Sequence, residues 1–92
     1  MMIKNILGDP IYNYIRFPNT VTQEFDYTPI KDVETETQCA KLCDKEPTFV
    51  CKSFNYCRSL KQCLLSKNHV HLPDKVPGVI PNPICVHFSS KN

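Results

Sequence analysis

The stretch that decides the fold is Cys39-Ala40-Lys41-Leu42-Cys43, followed by seven residues and then Cys51-Lys52-Ser53-Phe54-Asn55-Tyr56-Cys57. Its first part lies on a helix. Thr35 with Gln38 three residues on is a capping-box pattern, and Glu34 and Glu36 favour the positive end of a helix dipole. The spacing predicts a helix from Thr35 to Lys45 that stops near Pro47. On it Cys39 and Cys43 stand at i and i+4, on one face, with Ala40 and Leu42 flanking. The second part, Phe49 to Cys57, reads as a strand. A polar turn, Arg58-Ser59-Leu60-Lys61, joins it to Gln62-Cys63-Leu64-Leu65-Ser66, and the spacing is that of a β-hairpin.

Outward from this centre the pattern weakens. Ile11 to Phe17 alternates, with Ile11, Asn13, Ile15 and Phe17 on one face and Tyr12, Tyr14 and Arg16 on the other, until Pro18-Asn19 breaks the run. Glu24 to Thr28 is a second β-like stretch. Residues 68–83 hold Pro73, Pro77, Pro81 and Pro83, and proline removes amide donors, so a poorly laddered surface loop is expected there. Ile84 to Phe88 looks like a last strand. Residues 1–10 read as an N-terminal flank or linker and 11–90 as one domain. No stretch approaches a signal-peptide core or the ~18 apolar residues of a membrane span, so a module of a longer secreted or anchored parent is expected, without membrane insertion of its own.

The chain has 92 residues, of which 41% are hydrophobic and six are cysteine. A chain of this size buries only about 60–65% of its unfolded surface, so its core has little margin without covalent help. An even number of cysteines in so short a chain reads as a disulfide framework and places the protein outside the reducing cytosol. Length also argues against an enzyme, because a pocket with a supporting shell is hard to build on one small core. A binding module is the expectation.

Cys39 and Cys43, on one helical turn, cannot bridge each other without strain. Cys51 and Cys57 would lie about 20 Å apart on one extended strand at ~3.3 Å per residue. The economical arrangement joins Cys43 to Cys51, Cys39 to Cys63 and Cys57 to Cys85. One point resists it. A four-residue turn pairs Cys57 with Gln62, and strict alternation then puts Cys63 on the face opposite Cys51. A five-residue turn or a bulge would repair the register, and would also set Cys57 across from Cys63 as a rival pair.

The run C-x-x-x-C, then C-K-S-F-x-Y from Cys51 to Tyr56, then C-L-x-S from Cys63 to Ser66, resembles the PAN/apple module. That module occurs in the N-terminal domains of plasminogen and hepatocyte growth factor, in the apple domains of factor XI and prekallikrein, and in adhesins of apicomplexan microneme organelles. The resemblance implies an α+β fold, a single helix packed on a curved antiparallel β-sheet, with bridges Cys39 to Cys63 and Cys43 to Cys51. Apple domains usually tie a cysteine near the start to one near the end. Here none precedes Cys39, so Cys85 has lost its usual partner and Cys57 is the one left. Growth-factor members bind heparin partly through basic residues on the strand before the helix. At 29–36 this chain keeps one lysine among three acids, so heparin-type binding by that surface is not expected.

The resemblance further implies an extracellular adhesion or recognition module that binds a protein or glycan on a cell surface, next to other modules of its parent. A zymogen-type apple domain binding a protease partner and a disulfide-rich inhibitor are the alternatives. The sheet surface with loops 58–61 and 67–83 is the expected contact, through Arg58, Lys61, Lys67, Tyr56 and His69. Residues 1–46 carry five basic residues against eight acids, net −3, and residues 47–92 six against one, net +5. Such polarity can steer an acidic partner. The single spacing of the basic residues is unlike the stripe that nucleic acid requires, so no nucleic-acid partner is expected. A metal site using Cys39, Cys43, His69, His71 and His87 fits zinc spacing only approximately. Bridging would also consume the thiols that a Cys-His catalytic pair needs. No cofactor, metal or catalytic residue is therefore expected. The oxidised chain should be lighter than the reduced chain by six hydrogens in an intact-mass measurement, one pair for each two of the six cysteines.

Overall fold

A computed structural model describes residues 9–22, 28–68 and 79–91. Asp9 caps a 3-10 turn at Pro10–Asn13, its carboxylate accepting from the Ile11 amide at 3.0 Å. Strand β1 is Tyr14–Thr22, helix α1 Glu36–Asp44, β2 Ser53–Cys57, β3 Gln62–Ser66 and β4 Val79–Ser90. The strands form one antiparallel sheet in the order β1-β4-β2-β3. The helix packs on one of its faces, giving the α+β architecture that the resemblance implies.

Local chemistry explains the helix. The Thr35 hydroxyl accepts from the Gln38 amide at 3.1 Å, and the Gln38 side chain reaches back to the Glu34 amide at 2.7 Å, one residue before the cap. Arg16 on β1 makes a forked contact with Glu36 in the first turn, at 3.1 and 2.9 Å. Both side chains are partly exposed, so this contact contributes at most about 1 kcal/mol. Burial of the inner helical face matters more. Cys39, Ala40 and Cys43 are buried against Tyr14, Phe54, Tyr56, Cys63, Leu65, Val86 and Phe88. Leu42 points away from this core and is 36% exposed.

Phe54 and Phe88 sit directly opposite each other on β2 and β4 and stack at 4.6 Å, and Tyr14 meets Phe54 edge-on at 5.0 Å. Such pairs add about 0.5–1.5 kcal/mol to the area they bury. Tyr14, not Ile11 or Ile15, therefore carries the inner face of β1. The predicted alternation from Ile11 fails because residues 10–13 turn, and the strand begins only at Tyr14.

The prolines depart from expectation in the same direction. β1 continues through Pro18, with a register shift between Pro18 and Thr20 and Asn19 at φ 54°. A bulge with asparagine in the left-handed region absorbs the irregularity on an edge strand. β4 begins at Val79 and includes Pro81 and Pro83. Over residues 79–81 it pairs with β1 alone, residues 82–84 stand in neither register, and β2 joins only from Cys85 onward. A missing donor costs little where one side of the strand has no ladder. The expected strand at Glu24 to Thr28 and the centre of the proline-rich loop lie outside the described residues, as do residues 1–8 of the expected flank.

The bridges are Cys39–Cys63, Cys43–Cys51 and Cys57–Cys85. The register is that of a four-residue turn, Cys57 opposite Gln62 and Tyr56 opposite Cys63. Cys51 still reaches the helix because β2 starts at Ser53, two residues later. Residue 51 lies outside the ladder and is not bound by its alternation. No slip in register is needed.

On the other face of the sheet Ser53, Asn55, Ser66, His87 and Ser89 are buried polar residues beside the Cys57–Cys85 bridge. Asn55 donates to the Thr22 hydroxyl at 2.9 Å, and its carbonyl accepts from the Thr22 amide at 3.1 Å. That same oxygen lies 2.9 Å from His87 Nδ1. An amide oxygen can only accept, so His87 carries its proton on Nδ1, and its buried Nε2 has no partner among the described residues. Burial lowers the His87 pKa from 6.5 to about 4. The unfolded chain therefore binds a proton below pH 6.5 that the native state refuses until about pH 4. Stability is full above the upper value and falls as pH drops between the two, by on the order of 3 kcal/mol in total. Urea unfolding from pH 8 to pH 4 should show this slope, and His87→Gln, which keeps a donor for Asn55 without titrating near neutrality, should flatten it.

Candidate functional site

The turn between β2 and β3 is held by Leu60 and Lys61 amides donating to the Cys57 and Arg58 carbonyls, both at 3.2 Å. Lys61 takes φ 53°, a left-handed position that closes the turn without glycine. Arg58 donates from Nη2 to the Pro83 carbonyl at 3.2 Å, and Lys61 lies 3.4 Å from Glu34. Both basic side chains are exposed, and beside them Leu60 is 57% exposed. The hairpin tip thus presents two cations around an apolar residue.

The other expected contact residues do not join it. Tyr56 is buried, and its hydroxyl donates to the Val33 carbonyl at 2.7 Å. Burial, with Glu34 nearby, pushes its phenol up, so it remains a protonated donor inside the core. Tyr56 therefore packs the segment before the helix onto the sheet and has no surface to offer a ligand. Lys67 is exposed but follows the far end of β3, roughly 20 Å along the strand from Lys61 at ~3.3 Å per residue. His69, and with it His71, lies outside the described residues. Cys39 and Cys43 are both disulfide-bonded and supply no thiolate to a metal or a catalytic pair.

Among the described residues, two depressions bear on the question of a site. One, of about 440 Å³, lies at the C-terminal end of α1 between Asp44, Glu46, Phe49 and Lys52. Its carboxylates are already engaged: the Tyr14 hydroxyl donates to Asp44 at 2.6 Å, and Glu46 accepts from the Thr48 amide at 3.0 Å and from its hydroxyl. Burial and the Asp44 carboxylate push the Tyr14 phenol well above its ordinary value, so that donation persists at any ordinary pH.

The second, of about 450 Å³, runs between the outer face of α1 and residues 30–33. Ile30, Val33 and Leu42 supply its apolar lining, and Lys31, Lys41 and Lys45 its charge. The segment is pinned in place, Ile30 exchanging both backbone bonds with Cys63 at 2.9 Å and the Val33 amide donating to Lys61 at 2.9 Å. Sequence reading missed this groove because it weighed residues 29–36 as a linear stretch of one lysine among three acids. In the fold Glu34 turns to Lys61 and Glu36 to Arg16, which leaves Asp32, while the helix contributes Lys41 and Lys45. The i, i+4 spacing of Lys41 and Lys45 beside an outward Leu42 is the signal that was available.

A family model for the PAN domain matches residues 11–91, and the chain belongs to that family. PAN domains are protein- or carbohydrate-binding modules and not enzymes. A search of the curated proteins found no match. No helix among the described residues is long and apolar enough to cross a membrane. Tyr56→Phe removes only the bond to Val33 and should lower the unfolding free energy in urea by about 1 kcal/mol.

Proposed function

We propose that this chain is an extracellular recognition module, one unit of a larger modular protein, which binds a protein or glycan on a cell surface. The observation that carries the reading is membership of the PAN family over residues 11–91. Three bridges that consume all six cysteines agree with it, since such a framework persists in oxidising compartments. The functional surface is then exterior and open. Arg58 and Lys61 at the hairpin tip are its proposed contacts, exposed on a rigid turn and backed by Leu60. Contact through so few groups makes a single module weak, and neighbouring modules of the parent would raise the strength by avidity.

The test applies the oxidised domain to cultured cells and to a glycan array. Binding that drops about tenfold in the double variant Arg58→Ala/Lys61→Ala supports the tip as the contact. Unchanged binding in that variant removes the tip from the reading. Binding to a soluble protease with none to cells or glycans would overturn the cell-surface role in favour of a zymogen-type one.

A further inference from the structure

Of the three exposed features, the groove along α1 carries the most information about its ligand. The depression beside Asp44 and Glu46 has its carboxylates satisfied within the chain, and at the hairpin tip Lys61 is paired with Glu34. In the groove, by contrast, Lys31, Lys41 and Lys45 have no carboxylate partner among the described residues, and all three are exposed. Against them stands Asp32 alone, held at φ 63°. Three cations against one acid leave the groove at a net +2.

We propose that this groove docks an extended acidic segment of a partner protein. One apolar side chain of that segment enters between Ile30, Val33 and Leu42, and carboxylates on either side of it meet Lys31 on one wall and Lys41 and Lys45 on the other. The proposal rests on the recognition reading above and adds to the hairpin tip a second contact with its own ligand class.

Two physical arguments select this occupant. Charge complementarity requires an anion, since three exposed lysines held near one another repel and are relieved by carboxylates. The apolar lining requires more than charge. A sulfated glycan would leave Ile30, Val33 and Leu42 facing polar groups, whereas a peptide can set one leucine or phenylalanine against them, occupy the rest of the cleft with its backbone and keep its charges at the rim. The walls are also rigid. Residues 30–33 are tied by backbone bonds to β3, and α1 is tied to the sheet by two disulfides, so little ordering is required on binding.

The probe is a random peptide library displayed on phage and selected on the oxidised domain, with a heparin oligosaccharide and phosphatidylserine vesicles tested in parallel. The expected peptides carry acidic residues flanking one large apolar residue. Their affinity should fall at least about tenfold in Lys41→Glu/Lys45→Glu, several-fold in Leu42→Ser, and steadily with added salt. These three positions are exposed, and thermal unfolding with intact mass verifies that each variant is folded and fully bridged. Selected peptides without acidic enrichment, or acidic peptides that bind Lys41→Glu/Lys45→Glu as well as wild type, overturn the groove assignment and leave the recognition reading standing. Heparin or vesicles binding through these lysines while no peptide is selected also overturns it, in favour of a polyanion or membrane surface. Failure of peptides, heparin, vesicles, cells and glycans alike sinks both.

Discussion

Everything in this domain depends on how one short helix is tied to its sheet. Nine residues of helix have marginal stability in water, and α1 buries only one narrow face. Cys39 and Cys43, one turn apart, convert that face into two covalent anchors, to Cys63 on β3 and to Cys51 ahead of β2. Each bridge stabilises by about 2–4 kcal/mol in the chain-entropy account, comparable with what a small core can supply in total. Because both anchors lie on the inner face, the outer face is left to face solvent, and that is where Lys41, Leu42 and Lys45 stand. The staple and the groove are two consequences of one spacing.

The opposite face of the sheet is built on a different principle. Its centre is polar, with Asn55 joining Thr22 on β1 to His87 on β4, and with the third bridge tying β2 directly to β4. A buried polar network of this kind stabilises only when its members are matched, and the bare Nε2 of His87 is its one unmatched atom among the described residues. The third bridge also answers how a chain without an early cysteine secures its C-terminal strand. Cys85 turns to the neighbouring strand instead of to the N-terminus, while β1 is held by its ladder with β4 and by Tyr14 in the core.

Much of the framework was legible beforehand, and the misses have identifiable causes. The capping residues, the i, i+4 cysteines and the hairpin turn are local signals, and each appears where the local rules put it. Strand ends were read less well. Proline at 18 or 81 reads locally as the end of a strand, yet a proline's cost depends on whether a neighbour needs its amide, and only the strand order says so. The apparent conflict between Cys51 and Cys63 came from extending β2 back to Phe49. Tyr56 is expected on the contact surface of the sheet, whereas alternation on β2 points it at the helix.

The sequence alone determined the helix and its cap, the hairpin, the oxidised state of the cysteines and the membership of a binding family. These follow from spacing and residue type over short distances, where the backbone leaves few options. Tertiary structure alone decided which charges are free. Glu34 and Glu36 are removed from the groove by partners 27 and 20 residues away, and Lys41 and Lys45 are brought to Lys31 by the packing of α1. A charge has meaning for a ligand only after its neighbours in space are known, and no linear count contains them.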